Sequence, residues 1–348
     1  MDNTNIFYHS PKELTTDAFW VWLLYFVDSE DKYKETKQIL FDALILKDSD
    51  RGRQVHKISV DRQKSCHHGR IDFLLTFTFI DDNSEHSVLF EDKTWSTTTQ
   101  EQLNGYKSDY PDLYRYLYYK LAYIRLAESK LVTDCGYDII NSKMMGDCLS
   151  RFTDIHILIK YYYEYIKATF SDYIDSLDQS LLKDCNYDLL WDAQAQLYLA
   201  DKLWLLLPDD NKDGMYIQFG TSSGRPWTEI VISEDNPIIP GYNESIFWRI
   251  DIRSGRFYLR LNQYCWYEDD EQGTITRKKR ERLDRLRVYS DDILEDSKLH
   301  LQKAVPSDRG LYEQEIVIFF LDENPWQTIF HDFPIYTSKF LELYSKSF

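Results

Sequence analysis

Apolar positions first recur along the chain with a helical spacing. From Glu13 to Phe26 an aromatic-rich run, opened by Ser10-Pro11, presents a wide apolar face and predicts a buried first helix. Thr36 to Leu46 predicts a second, with Leu40 and Leu44 in register and Lys47 at its C-terminal end. The period then changes to two. Val55 to Val60 alternates weakly, Arg70 to Ile80 (RIDFLLTFTFI) reads as a strong strand, and Ser87 to Lys93 as another. Asp81-Asp82-Asn83-Ser84 between the last two predicts a β-hairpin. Helical character resumes over Gln100 to Lys107 and stops at Tyr110-Pro111. Leu117 to Ile124 reads as a strand, although periodicity alone does not separate it from a helix. A short strand with a helix over 137–152 and a Tyr-lined helix over 154–176 follow. Helices alternating with strands in this order predict an α/β layer arrangement.

The second half reads as α+β. A helix over Tyr187 to Leu207 ends at Pro208, and strands follow over Met215 to Phe219, Trp227 to Ser233, Ser245 to Ile252 and Gly255 to Leu261. A charged helix (Thr276 to His300), a strand (Glu315 to Leu321) and a helix (Pro325 to Ser345) complete it. The 348 residues suit two domains, and the change in pattern divides them at 1–178 and 179–348.

Composition narrows the class. With 43% hydrophobic and 16% aromatic residues the chain is rich enough in core-forming side chains to fold, which excludes intrinsic disorder. Cys66, Cys135, Cys148, Cys185 and Cys265 are odd in number and contain no Cys-x-x-Cys pair, which argues against a disulfide framework or a thiolate zinc site and for a reducing compartment. The longest apolar run, Ala18 to Val27, is half of what a membrane-spanning helix needs, and no basic segment precedes it as a signal peptide would require. A cytoplasmic protein without a membrane partner is expected.

The net charge of −17 opposes nonspecific binding to a polyanion, yet the cations are segregated. Residues 51–70 carry a net +5 with three His, and residues 277–287 another +5. A solvated face is the plainer reading of the second segment, which falls on a helix.

The hairpin carries the candidate chemistry, because it places acids where strands avoid them. Asp72 stands at the start of a run that is otherwise apolar or Thr, and Glu91-Asp92-Lys93 closes Val88-Leu89-Phe90. Glu91 and Lys93 share one face, and Asp92 takes the other. A reversal between Asp82 and Asn83 pairs position 72 with 93 and 74 with 91, so Asp72 lies opposite Lys93 and diagonal to Glu91. Two carboxylates at that range repel unless a cation sits between them, and Mg²⁺ suits oxygen ligands. Asp72, Glu91 and the backbone carbonyl of Asp92 would form half of its shell, with Lys93 orienting water beside it. An Asp72–Lys93 surface salt bridge, worth about 0–1 kcal/mol, explains the spacing equally well.

Arg70-Ile71-Asp72 followed about twenty residues later by Glu91-Asp92-Lys93 resembles the signature of the PD-(D/E)XK nuclease superfamily. The order E-L-T-T-D-A-F-W-V-W-L-L, G-R-I-D, E-D-K and Q-L-x-x-Y is similar to a branch of bacterial and phage nuclease-like proteins, over residues 8–130. The resemblance implies a restriction-endonuclease-like αβββαβ core, with helices flanking a mixed central sheet. It implies metal-dependent hydrolysis of phosphodiester bonds, most naturally in DNA, with Mg²⁺ or Mn²⁺ as cofactor, in phage defence or mobile-element biology. Asp72 and Glu91 become metal ligands, Lys93 the water-orienting base or electrostatic stabiliser, and Glu13 on the first helix a further ligand through water. Gln102 and Tyr106 would position the scissile phosphate or support the site. Arg53, Lys57, Arg62, Lys64 and Arg70 in the basic segment could contact phosphates. Ile71 stands where the formal motif has Pro. The second half matches no family and is expected to select substrate, form a homodimer or take a regulatory partner.

Two other readings compete: a catalytically silent nucleic-acid-binding or assembly module that retains the nuclease fold, and an effector held off by its own C-terminal half. Cys66-His67-His68 is read as a polar turn, because nothing elsewhere completes a zinc shell. The Tyr-rich stretches Tyr114 to Tyr123 and Tyr161 to Tyr165 are read as core rather than as base-stacking platforms.

Overall fold

The apolar run near the start becomes α1 (Lys12–Asp28), whose Trp20, Leu23, Leu24 and Val27 are buried. The computed structural model describes residues 5–9, 12–209, 212, 214–239, 242–266, 273–307 and 312–346, with no side-chain description for 12–14, 235–239 and 242. The second helix, α2 (Lys34–Leu40), is shorter than the pattern predicts and passes into a π-turn over Phe41–Ile45. Then come β1 (Val55–Arg62), the short pair β2 (Ser65–Cys66) and β3 (Gly69–Arg70), β4 (Phe73–Phe79) and β5 (Glu85–Asp92). Next are α3 (Gln100–Asp109), β6 (Arg115–Lys120), α4 (Leu126–Asp134), β7 (Asp138–Asn141), α5 (Ser142–Leu149), α6 (Ile157–Ile166) and α7 (Asp172–Leu177).

The chain is α/β, with a mixed sheet and a second, antiparallel sheet. In the first sheet the order is β1-β4-β5-β6-β7, with β1, β4 and β5 antiparallel and β5, β6 and β7 parallel. β5 is central and buried on both faces, so Val88-Leu89-Phe90 reads as an unbroken apolar run. One face packs on α1, where Phe90 stacks on Phe73 at 4.3 Å and meets Trp20 at 5.4 Å. The other face joins Leu74, Leu89 and Tyr118 to Leu103 and Tyr106 of α3 and Val132 of α4. α4, which supplies the crossover between β6 and β7, was not expected from the sequence pattern.

The hairpin register differs from the expected one by two residues. Phe73 pairs with Phe90 and Thr78 with Glu85, which puts Asp72 across from Glu91 rather than Lys93. The loop begins one residue early, because Phe79 N–H bonds Ser84 O and Asn83 closes the turn at φ 54°. Asp82 reinforces it by accepting from Ser84 N–H at 2.9 Å. A slip of two preserves the faces, so Asp72, Glu91 and Lys93 remain on one side and Asp92 on the other. The strand also starts later than expected, leaving Asp72 in a bend between β3 and β4.

The chain divides into two compact units, Met1–Ser176 and Leu177–Phe348. The second contains α8 (Ala193–Leu205), β8 (Tyr216–Ser222), β9 (Arg225–Ile239), β10 (Tyr242–Arg253), β11 (Arg256–Trp266), α9 (Thr274–Asp296), β12 (Lys303–Ala304), β13 (Glu313–Phe320) and α10 (Trp326–Ser345). Its strands are ordered β12-β13-β11-β10-β9-β8. The basic segment 277–287 lies on α9 and is only partly a solvated face. Arg282 Nε donates to both oxygens of buried Glu244 at 2.8 Å, and Lys279 and Arg287 donate to the carbonyls of Tyr312 and Glu315. Among the described residues no helix is long and apolar enough to cross a membrane.

Candidate active site

Thr99 caps α3 by accepting from Gln102 N–H at 3.2 Å, which fixes the first turn of the helix beside the end of β5. Gln102 Nε2 then donates to Glu91 Oε1 at 2.8 Å and to Tyr106 Oη at 3.1 Å, while Thr98 Oγ1 holds the other end of the amide at 3.0 Å. Tyr106 Oη donates to Arg70 O at 3.1 Å, one turn along the same helix face. Gln102, Gly105, Tyr106 and Asp109 thus form one stripe that clamps both the end of β5 and the segment leading into Asp72. Gly105 is needed there: a Cβ at this position would lie 2.7 Å from His68 Cβ. Gly105→Ala, a change that ordinarily gains about 1 kcal/mol in a helix, is expected here to cost about 1–3 kcal/mol by overpacking. A lowered melting temperature checks this, and an unchanged or raised one contradicts the contact.

The acids converge with Lys93. Asp72 Oδ2 accepts from Asp92 N–H at 2.6 Å, and Lys93 Nζ lies 2.5 Å from Glu91 Oε1. Glu91 is 1% exposed, and its Oε2 is buried without a hydrogen-bond partner. Burial above all, then the neighbouring Asp72 charge and, more weakly, Asp17, push its carboxyl up to about 7 against the opposing pull of Lys93. Burial also raises the Tyr106 phenol, which keeps it a neutral hydrogen-bonding group.

Several expected site residues have other places. Asp92 contributes its amide to Asp72, but its own carboxylate turns to the α1 side, where Oδ1 accepts from Thr94 Oγ1 at 3.1 Å. Glu13 lies in α1, and its side chain falls outside the described residues. Among the described residues, an acid of α1 that acts on the site is Asp17, 3% exposed, which accepts from Gln63 Nε2 at 3.3 Å and acts electrostatically on Glu91. Its signal in the sequence was a Thr16-Asp17 pair inside an apolar run, one helical turn beyond Glu13.

Tyr106 is buried and supports the site from beneath, so it is not a nucleic-acid contact. Arg53 belongs to the opposite end of the hairpin, where it pairs with Asp50, Asp81 and Asp82 and covers the Phe79 ring at 3.7 Å. Lys57 adjoins Thr78 near the same end, its N–H lying 3.4 Å from Thr78 Oγ1. At about 3.3 Å per residue, five residues of β1 separate Lys57 from Arg62, roughly 16 Å. Arg62, Lys64 and Arg70 remain beside Asp72 and are exposed. Cys66-His67-His68 makes the turn between β2 and β3, with His68 Nδ1 3.0 Å from Asp109. Of the Tyr-rich stretches, Tyr118, Tyr119, Tyr162 and Tyr165 are buried core, while Tyr114, Tyr116, Tyr161 and Tyr163 are half-buried and pack against it.

No family model, curated protein or solved structure matches the chain. The site's chemistry therefore rests on its own geometry. Among the described residues no group of three or more His, Cys, Asp or Glu is arranged to hold a metal ion. Lys93 supplies the positive charge at Glu91, and one oxygen of Asp72 is engaged by an amide. The donor set nonetheless fits a hard cation. A buried carboxylate oxygen without a hydrogen-bond partner lies within the field of two further acids, and burial first, then the Asp72 charge, hold that carboxyl up against Lys93.

Proposed function

We propose that this chain is a metal-dependent nuclease, acting on DNA with Mg²⁺ or Mn²⁺, and that its first unit has a restriction-endonuclease-like core. The observation that carries the reading is the gathering of Asp72, Glu91 and Lys93 at the end of β5, with Gln102 fixing Glu91. The sheet order supports the fold, since three antiparallel strands precede a helix and a strand parallel to the third.

Asp72 and Glu91 would hold the cation. When bound, it neutralises phosphoryl charge and lowers the pKa of water. The chain's own groups do the rest. The Asp92 amide orients Asp72, Gln102 orients Glu91, and Lys93 holds a positive charge and an exchangeable proton beside the reacting phosphate. The Lys93 side chain is 16% exposed, whereas Glu91 is covered.

The silent-module reading draws on one observation: Lys93 and the Asp92 amide already engage both carboxylates. Incubating the purified chain with plasmid DNA and Mg²⁺ or Mn²⁺ separates the two. Cutting that disappears in Asp72→Ala supports the nuclease. Binding without cutting, or cutting that survives the substitution, overturns it.

A further inference from the structure

We propose that the β2–β3 hairpin, Gln63 to Arg70 with its flanking Arg62, is a preformed arm that holds the phosphodiester backbone of a nucleic acid at the mouth of the site. The inference rests on the nuclease reading for its substrate class.

Arg62, Lys64, His67 and Arg70 are all exposed within a single turn of chain, in a protein of net charge −17. The carboxylate nearest in sequence, Asp61, sits 3.7 Å from Lys64, a surface pair that water and salt weaken. Among the described residues Arg62 and Arg70 form no ion pair. Arg53, earlier in the same basic segment, is by contrast matched by three acids. Arg62 and Arg70 thus keep unmatched positive charge beside the candidate site, as Arg53 does not.

The arm is held at both ends. Gln63 N–H bonds Asp72 O at 2.7 Å, and Ile71 N–H bonds Lys64 O at 3.2 Å. Its turn is fixed by Asp109, which takes the His68 amide at 2.8 Å and faces His68 Nδ1, and His68 itself rests on Gly105. Tyr106 holds Arg70 through its carbonyl, leaving the guanidinium free of that contact. These anchors lie on the helix stripe that also carries Gln102, so the arm's backbone is tied to the helix that fixes Glu91. A solvated turn needs no such anchoring. A backbone-binding element benefits from it, because preorganised cations lose less freedom on binding.

The test is equilibrium binding of labelled DNA and RNA duplexes of one sequence, with Ca²⁺ replacing Mg²⁺, across a salt series. Both backbones are titrated because the arm recognises the phosphodiester they share. In Arg62→Ala/Arg70→Ala, affinity for the preferred duplex should fall roughly sixtyfold at 0.1 M salt, and the salt slope should shrink by about 2. Arg51→Ala, an exposed cation before β1, should change neither. Melting temperatures of all variants should match the parent, since only exposed side chains are trimmed. Unchanged affinity and slope in the double variant, or a parent that binds neither duplex, overturns the arm. A parent that binds with the predicted slope but never cuts with Mg²⁺ refutes the nuclease and leaves the arm standing. Cutting with an unaffected double variant refutes only the arm.

Discussion

Lys93→Met should lower plasmid cutting by about 10²–10⁴-fold while the protein stays folded. The substitution keeps most of the aliphatic stem and removes only the ammonium, which lies 2.5 Å from Glu91 Oε1 on a half-buried side chain. Two losses combine. The positive charge beside the reacting phosphate disappears, and Glu91 is left facing Asp72 and Asp17 with its principal compensation gone. Its carboxyl then climbs further above 7, so at neutral pH it holds a proton and serves poorly as a ligand. Single-turnover rates, taken beside circular dichroism and a melting curve, check this. Cutting within a few-fold of the parent, with the fold intact, would show that the ammonium has no part in the chemistry.

Glu91→Gln should remove a stability term that depends on pH. The folded carboxyl titrates at about 7, above the ordinary value of 4.5, so the folded state binds the proton more tightly than the unfolded chain does. Stability is then lost as pH rises through the window from 4.5 to 7, and the penalty is complete above it. Its size is about 3 kcal/mol, from roughly 1.4 kcal/mol for each unit of displacement. Gln imitates the protonated acid, so the variant should be more stable than the parent at pH 8 and indistinguishable from it at pH 4. Denaturant midpoints at several pH values give the difference curve directly. A flat difference would mean that Glu91 carries no such burden. The burden is also what a bound cation would relieve, because an ion that binds only the folded state stabilises it.

Much of this arrangement was legible in the chain because the strands carrying it are simple. β4 is apolar but for two Thr, and Val88-Leu89-Phe90 in β5 is an unbroken apolar run, so an acid at 72 or 91 stands out, and a side-chain period of two assigns faces whatever the exact turn. The register was not legible. It depends on Asn83 adopting a left-handed conformation and on Phe79 pairing with Ser84, which tetrapeptide composition does not choose. α4 was missed because Glu128 occupies its buried stripe, where it accepts from Tyr118 Oη at 2.8 Å and pairs with Lys120 at 3.2 Å. A charge in that position hides the helical period from any reading based on polarity.

Charge itself was the least reliable guide, since it says nothing about distant partners. Arg53 looked like a phosphate contact until Asp50, Asp81 and Asp82 were brought around it. Three cations of α9 looked solvated but find Glu244 and the carbonyls of Tyr312 and Glu315. Asp17 shows the reverse: the sequence around an acid inside an apolar helical run does not name its partner, and the fold brings it to Glu91.

The most direct test is a calorimetric titration of Mn²⁺ into the parent, Asp72→Asn and Glu91→Gln at pH 8, with Mg²⁺ as competitor. The parent should bind an ion that Mg²⁺ displaces, and each substitution should abolish that binding while leaving a folded protein. Absence of binding by the parent, or equal binding by all three, would contradict a cation site built on these two carboxylates.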